Sequence, residues 1–159
     1  MRLSKKAVTE LPAIEKILRA GKTCQLAFSA DPAPYLVTLN YGYHDGTLYF
    51  HAATEGRKID LIEKNRQAAF TVALDLGLVE GEEACDWSVR FQSVVGHGQI
   101  SLLESPAEKR QGLDLFMAQY SDEQFSYPDR MIQATAVIKL VINEMTAKQS
   151  RVPSLENIK

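Results

Sequence analysis

Residues 35–65 limit the possible fold more than any other stretch of the chain. Tyr35, Val37, Leu39 and Tyr41 alternate with Leu36, Thr38 and Asn40, the two-residue period of a β-strand. Asp45-Gly46 suits a tight hairpin turn, and residues 47–52 alternate again, with Thr47, Tyr49 and His51 on one face. Both faces are half apolar, which predicts cover on each side, as in a small barrel or at a subunit interface. The second run enters a Thr54-Glu55-Gly56 loop. Arg57-Lys58 then opens a short helix that carries Ile59, Leu61 and Ile62 and stops near Asn65.

The rest of the chain is consistent with an antiparallel β architecture. Thr9 is the expected cap of a first helix with Pro12 in its opening turn, Ile14, Ile17 and Leu18 as its apolar stripe, and Gly21 as its stop. Strands are expected over 23–29, 67–74, 89–103 and 134–143, and Asp31-Pro32-Ala33-Pro34 is a turn. Gly96 and Gly98 mark a bulge or bend in the long 89–103 run. Residues 76–87 have weak pattern and are expected to leave the sheet. Ser105-Pro106-Ala107-Glu108 is a capping box with proline at the first helical position, starting a helix whose apolar side includes Leu113, Phe116, Met117 and Tyr120. Residues 121–130 are polar and turn-rich, and the chain from Ala147 onwards is expected to be loosely held. Six strands and three helices predict a mainly β antiparallel barrel with peripheral helices: one domain over residues 1–150 and a polar tail over 151–159.

Composition excludes several functions. A length of 159 residues suits one domain with a proper core, and 45% hydrophobic with 24% charged residues is ordinary for a globular protein. A net charge of −2 gives no global attraction to nucleic acid. No apolar run is long enough to span a bilayer, and charges interrupt the N-terminal stretch where a signal peptide needs an apolar region. No membrane or nucleic-acid partner is therefore expected, and the expected location is cytoplasmic. Cys24 and Cys85 form no CxxC pair, and His44, His51 and His97 lack helical ligand spacing, so no metal site is expected.

The local chemistry leaves alternatives open. Gly56-Arg57-Lys58 at a helix start suits a phosphate, because unpaired N–H groups and two cations meet there; so common a tripeptide is more often a plain exposed helix start. His51 titrates in a range useful for proton transfer but has no partner identifiable in sequence. The tyrosines around it could stack on a planar ligand or simply pack across strands. Ser93 could donate to a phosphate or a ring carbonyl, and needs no function to sit on a strand.

The order and spacing of 34-PYLVTLNY-41, 48-LYFHAA-53, Gly56-Arg57-Lys58, Cys85-Asp86-Trp87 and 92-QSVVGHG-98 resemble the FMN-binding split-barrel superfamily of pyridoxamine 5'-phosphate oxidase-like proteins. Within it the likeness is to the nitroimidazole-resistance (Nim)-type flavin-nucleotide-binding branch. It covers residues 20–103, with 139–148 similar to the closing strand. The resemblance implies a six-stranded split barrel that forms a homodimer with flavin at the subunit interface, FMN preferred and FAD possible. It implies that Lys58 and Arg57 hold the phosphate, that Thr38, Leu39 and Asn40 run along the flavin ring, and that His51, Ala52 and Thr54 lie beside the ring and ribityl chain. Gln92 and Ser93 would reach the cofactor from the barrel wall, of this chain or of the partner subunit, and His51 would stand on the substrate side. The implied activity passes electrons to a small acceptor such as a nitro compound or quinone. A flavin carrier or redox sensor, or a split barrel binding deazaflavin, is the alternative. The arginine-rich positions of true pyridoxamine phosphate oxidases are missing. No histidine follows His97, where haem-degrading relatives need one.

Overall fold

The computed structural model describes residues 6–152. In chain order the elements are β1 (Ala7–Val8), α1 (Leu11–Ala20), β2 (Thr23–Phe28), β3 (Tyr35–Asn40), β4 (Gly42–His44), β5 (Thr47–Ala53), α2 (Arg57–Lys64), β6 (Gln67–Val79), β7 (Ser88–Leu103), α3 (Pro106–Met117), α4 (Asp129–Ala134) and β8 (Thr135–Ser150). All pairings are antiparallel, in the order β3-β2-β6-β7-β8-β5-β4, and β1 adds to β8. Eight strands and four helices among the described residues replace the six and three expected.

The sheet curls so that β3 comes beside β5, although no ladder joins them. Inside lie Leu26 and Phe28 of β2, Leu48 and Phe50 of β5, Phe70 and Val72 of β6, and Ile138 and Leu140 of β8. The predicted stripe of α1, Ile14, Ile17 and Leu18, plugs one opening, and Ile59 and Ile62 of α2 join the same core. A second, outer cluster of Leu103, Leu113, Ile132 and Val137 fixes α3 and α4 on the far side of the sheet.

Local signals map well onto the structure. The capping box forms in full: Glu108 N–H donates to Ser105 Oγ at 3.2 Å, and Ser105 N–H donates to the Glu108 carboxylate at 3.0 Å. Asp45 (φ 42°) and Gly46 (φ 71°) make the two-residue turn in the left-handed region. The register of β7 against β8 slips between His97 and Gly98, where a bulge is expected.

Long-range pairing differs in several places. The strand 35–41 does not return onto 47–52: β3 pairs with β2, and only Gly42–His44 forms the hairpin with β5. Residues 76–79 stay in the sheet, with Leu78 opposite Val89, because the β6–β7 ladder resumes after an irregularity at Asp75/Leu78. Residues 147–150 are not loose; Ala147 pairs with Val94 and Ser150 with Phe91, deep in β8. The last residues of the 121–130 segment already belong to α4. Thr9 does not cap α1. The N-cap is Glu10, without a side-chain cap bond, and the Thr9 hydroxyl bonds the Glu10 carboxylate instead. Of the expected tail, residues 153–159 lie outside the described residues. Among the described residues no helix is long and apolar enough to cross a membrane.

Candidate functional site

The gap between β3 and β5 is where the expected residues gather. On β3, Thr38 and Asn40 are exposed while Leu39 turns half-buried towards the core. Among the described residues β3 has a partner on one side only, and β5 has none beyond Tyr49 on the side facing it, so two strand edges border a slot. His51, Ala52 and Thr54 continue the β5 lip into the loop that begins α2. Arg57 lies over the Tyr35 ring at 4.9 Å, which ties the start of α2 to β3. Lys58 is half-buried and has no hydrogen bond or ion pair among the described residues. Beside Arg57 a cavity of about 400 Å³ opens between Ser29, Asp31, Lys64 and Asn65.

His51 packs edge-on against Phe116, ring centroids 4.8 Å apart at 74°, with its other side open to solvent. This partial burial holds its pKa below the ordinary 6.5. An NMR titration of the His51 imidazole is therefore expected to show a midpoint below 6.5. The sign for stability follows: the unfolded chain takes up this proton at a higher pH than the native one. Native stability is thus full above about 6.5 and is lost as pH falls through the depressed value.

Gln92 and Ser93 are not at the slot of their own chain. β7 is separated from β3 by β2 and β6, and from β5 by β8. The Gln92 side chain points inward and donates to Gln149 at 3.1 Å. Ser93 faces outward, is buried, and its hydroxyl has no partner among the described residues. Sequence reasoning missed Phe116 and Tyr120 as neighbours of the slot. Phe116 touches His51, and the Tyr120 hydroxyl stands beside the Asn40 side chain. No local pattern announces these contacts, since Tyr41 and Tyr120 are 79 residues apart.

The residues present fit a phosphate-bearing planar ligand. Gly56 precedes α2 with φ 120° and nothing within 4 Å of where a Cβ would stand, so the helix start is open. The free N–H groups of that start and the unpartnered Lys58 ammonium are the donors an anion needs. Among the described residues no group of three or more His, Cys, Asp or Glu could hold a metal ion.

The family pattern described as pyridoxamine 5'-phosphate oxidase matches residues 10–149. No curated protein matches the chain. Among solved structures, a protein from Bacteroides thetaiotaomicron assigned to 5-nitroimidazole antibiotic resistance is 32% identical, with a TM-score of 0.80 over 90% of this chain and 86% of that one. The flavocytochrome Anf3 from Azotobacter vinelandii superposes with a TM-score of 0.84 at 24% identity, covering 96% of this chain and 73% of its own. A FAD and heme binding protein from Mycobacterium smegmatis gives 0.82 at 20%, over 92% and 74%. The match over residues 10–149, together with the 32% identity, establishes that the chain belongs to the pyridoxamine 5'-phosphate oxidase-like family of split barrels.

Proposed function

We propose that the chain binds a flavin nucleotide, FMN or FAD, in the β3–β5 slot and passes electrons from a reduced donor to a small acceptor. One observation carries the reading: the half-buried Lys58, without a partner among the described residues, stands at an open helix start, at the end of a slot bounded by two strand edges that those residues leave unpaired. Family membership supports it, and the 5-nitroimidazole resistance assigned to the Bacteroides relative points to a nitro compound as the acceptor class.

When bound, the flavin supplies the redox chemistry. The chain's own residues bind and orient. Lys58 and the N–H groups opening α2 neutralise the phosphate, and the free backbone groups of β3 line one edge of the ring. His51, uncharged at neutral pH and without a hydrogen-bond partner among the described residues, offers a ring nitrogen that can exchange a proton with an acceptor. Because Gln92 and Ser93 do not reach the slot of their own chain, and Gln92 points into the barrel, the reading places neither on this chain's own flavin and includes a homodimer with the flavin at the subunit interface.

The test is spectroscopic. Protein supplied with FMN or FAD and then desalted is expected to keep the two visible absorption bands of oxidised flavin. A protein that stays colourless with both overturns the reading. Bound flavin reduced with dithionite is expected to reoxidise fastest with a nitro compound or quinone, and His51→Ala to keep the flavin while changing that rate. Equal slow reoxidation with every acceptor would make the chain a flavin carrier.

A further inference from the structure

The register of the β4–β5 hairpin points beyond the place where its hydrogen bonds stop. Gly42 pairs with Tyr49 and His44 with Thr47. The next rungs would set Tyr41 against Phe50 and Asn40 against His51. Neither forms, because β3 turns away and pairs with β2, Asn40 opposite Thr23. A strand that leaves its ladder must find other partners for the freed backbone groups. For Tyr41 that partner is Tyr120. Its hydroxyl accepts from the Tyr41 N–H at 3.0 Å and stands 2.8 Å from the Tyr41 carbonyl and 3.1 Å from that of Lys22, either of which can take its proton.

Phe116 acts on the other lip. It meets the His51 ring edge-on and lies 5.3 Å from the Tyr120 ring, so the two aromatics form one block between Asn40 and His51. The block is anchored. Gln119 Nε2 is within 2.8–2.9 Å of the Leu18, Arg19 and Gly21 carbonyls at the end of α1, and its Oε1 accepts from the Tyr43 N–H. The approach is also close: a Cβ on Gly42 would stand 2.5 Å from Phe116 Cα and 2.6 Å from the Leu115 carbonyl oxygen. A helix that merely covered a sheet would need an apolar stripe. It would not need a hydroxyl bonded to the main chain of the residue where a ladder ends.

We infer that Phe116 and Tyr120 form a wedge that holds the hairpin ladder open at Asn40 and His51, setting the separation of the two lips for a planar ring. The wedge itself stands on the geometry alone, and its service to the ring rests on the flavin reading. Both are positioning residues acting through Asn40 and His51.

The test compares Tyr120→Phe with the wild type, with Tyr127→Phe as control, since Tyr127 packs against the outer cluster of Leu103, Leu113, Ile132 and Val137 rather than in the wedge. In the ligand-free protein, Tyr120→Phe is expected to speed hydrogen exchange at the Tyr41 amide about tenfold and to move the His51 side-chain NMR signals, as loss of one buried hydrogen bond implies. FMN affinity is expected to fall about fivefold. Tyr127→Phe should leave all three unchanged. Phe116→Leu, which keeps an apolar side chain and removes the ring, is expected to move the His51 signals and weaken FMN similarly. Unchanged Tyr41 exchange in Tyr120→Phe overturns the wedge. Faster exchange with unchanged FMN affinity overturns its role at the site. A wild type that binds neither FMN nor FAD overturns the flavin reading, and the exchange measurement still decides the wedge.

Discussion

Lys58→Ala is expected to weaken FMN binding by more than tenfold, measured by quenching of flavin fluorescence on titration with protein. A hydrogen bond to a charged group contributes about 1.5–3 kcal/mol, and a tenfold change corresponds to about 1.4 kcal/mol. Three features place Lys58 in the upper part of that range. It is half-buried, so solvent screens it less than a surface lysine; it has no competing carboxylate among the described residues; and it sits in the first turn of α2, where unpaired N–H groups face the same anion. Arg57→Ala is expected to cost less, because its guanidinium is exposed and already lies over Tyr35. An affinity unchanged in Lys58→Ala would show that the phosphate lies elsewhere.

Phe50→Ala is expected to remove about 3–5 kcal/mol of stability, the usual cost of deleting a fully buried phenylalanine. The Phe50 side chain is fully buried, lies opposite Ile138 in the ladder, and meets the Tyr41 ring at 6.4 Å. It therefore fills the barrel interior beside Tyr41, and its truncation leaves a cavity there. Urea denaturation at neutral pH measures the loss, with Val141→Ala as reference: Val141 is 44% exposed on the opposite face of the sheet, and its truncation should stay within about 0.5 kcal/mol. A loss below about 1 kcal/mol for Phe50→Ala would mean that Phe50 does not pack as a core side chain.

What was legible in the sequence was what is decided locally. The Ser105–Glu108 capping box, the Asp45-Gly46 turn, the bulge glycines and the stripe of α1 depend on residues a few positions apart, and each is in place. Partner choice is decided by the whole sheet. Residues 35–40 carry a strand pattern that would suit either neighbour, and the whole run pairs with β2, from Tyr35 opposite Phe28 to Asn40 opposite Thr23. The same distinction applies at the candidate site. The run His51–Lys58 could be located from sequence because strand, loop and helix follow one another along the chain. The separation of Gln92 and Ser93 from it could not, since it depends on which strands come to lie between. Residues 147–150 looked loose because polar side chains alternate there, but they belong to a strand whose inward positions, such as Ala147, are small.

The position of β8 has a consequence for synthesis on the ribosome. This strand is the last described element to emerge, yet it lies mid-sheet, bonded to β7 on one side and to β5 on the other. Until residues 135–150 have left the exit tunnel, two long edges wait open on the nascent chain, a condition that invites pairing with neighbouring chains. The sheet can therefore close only after nearly all of the described chain is made, and a truncation before Thr135 leaves two half-sheets instead of a smaller barrel.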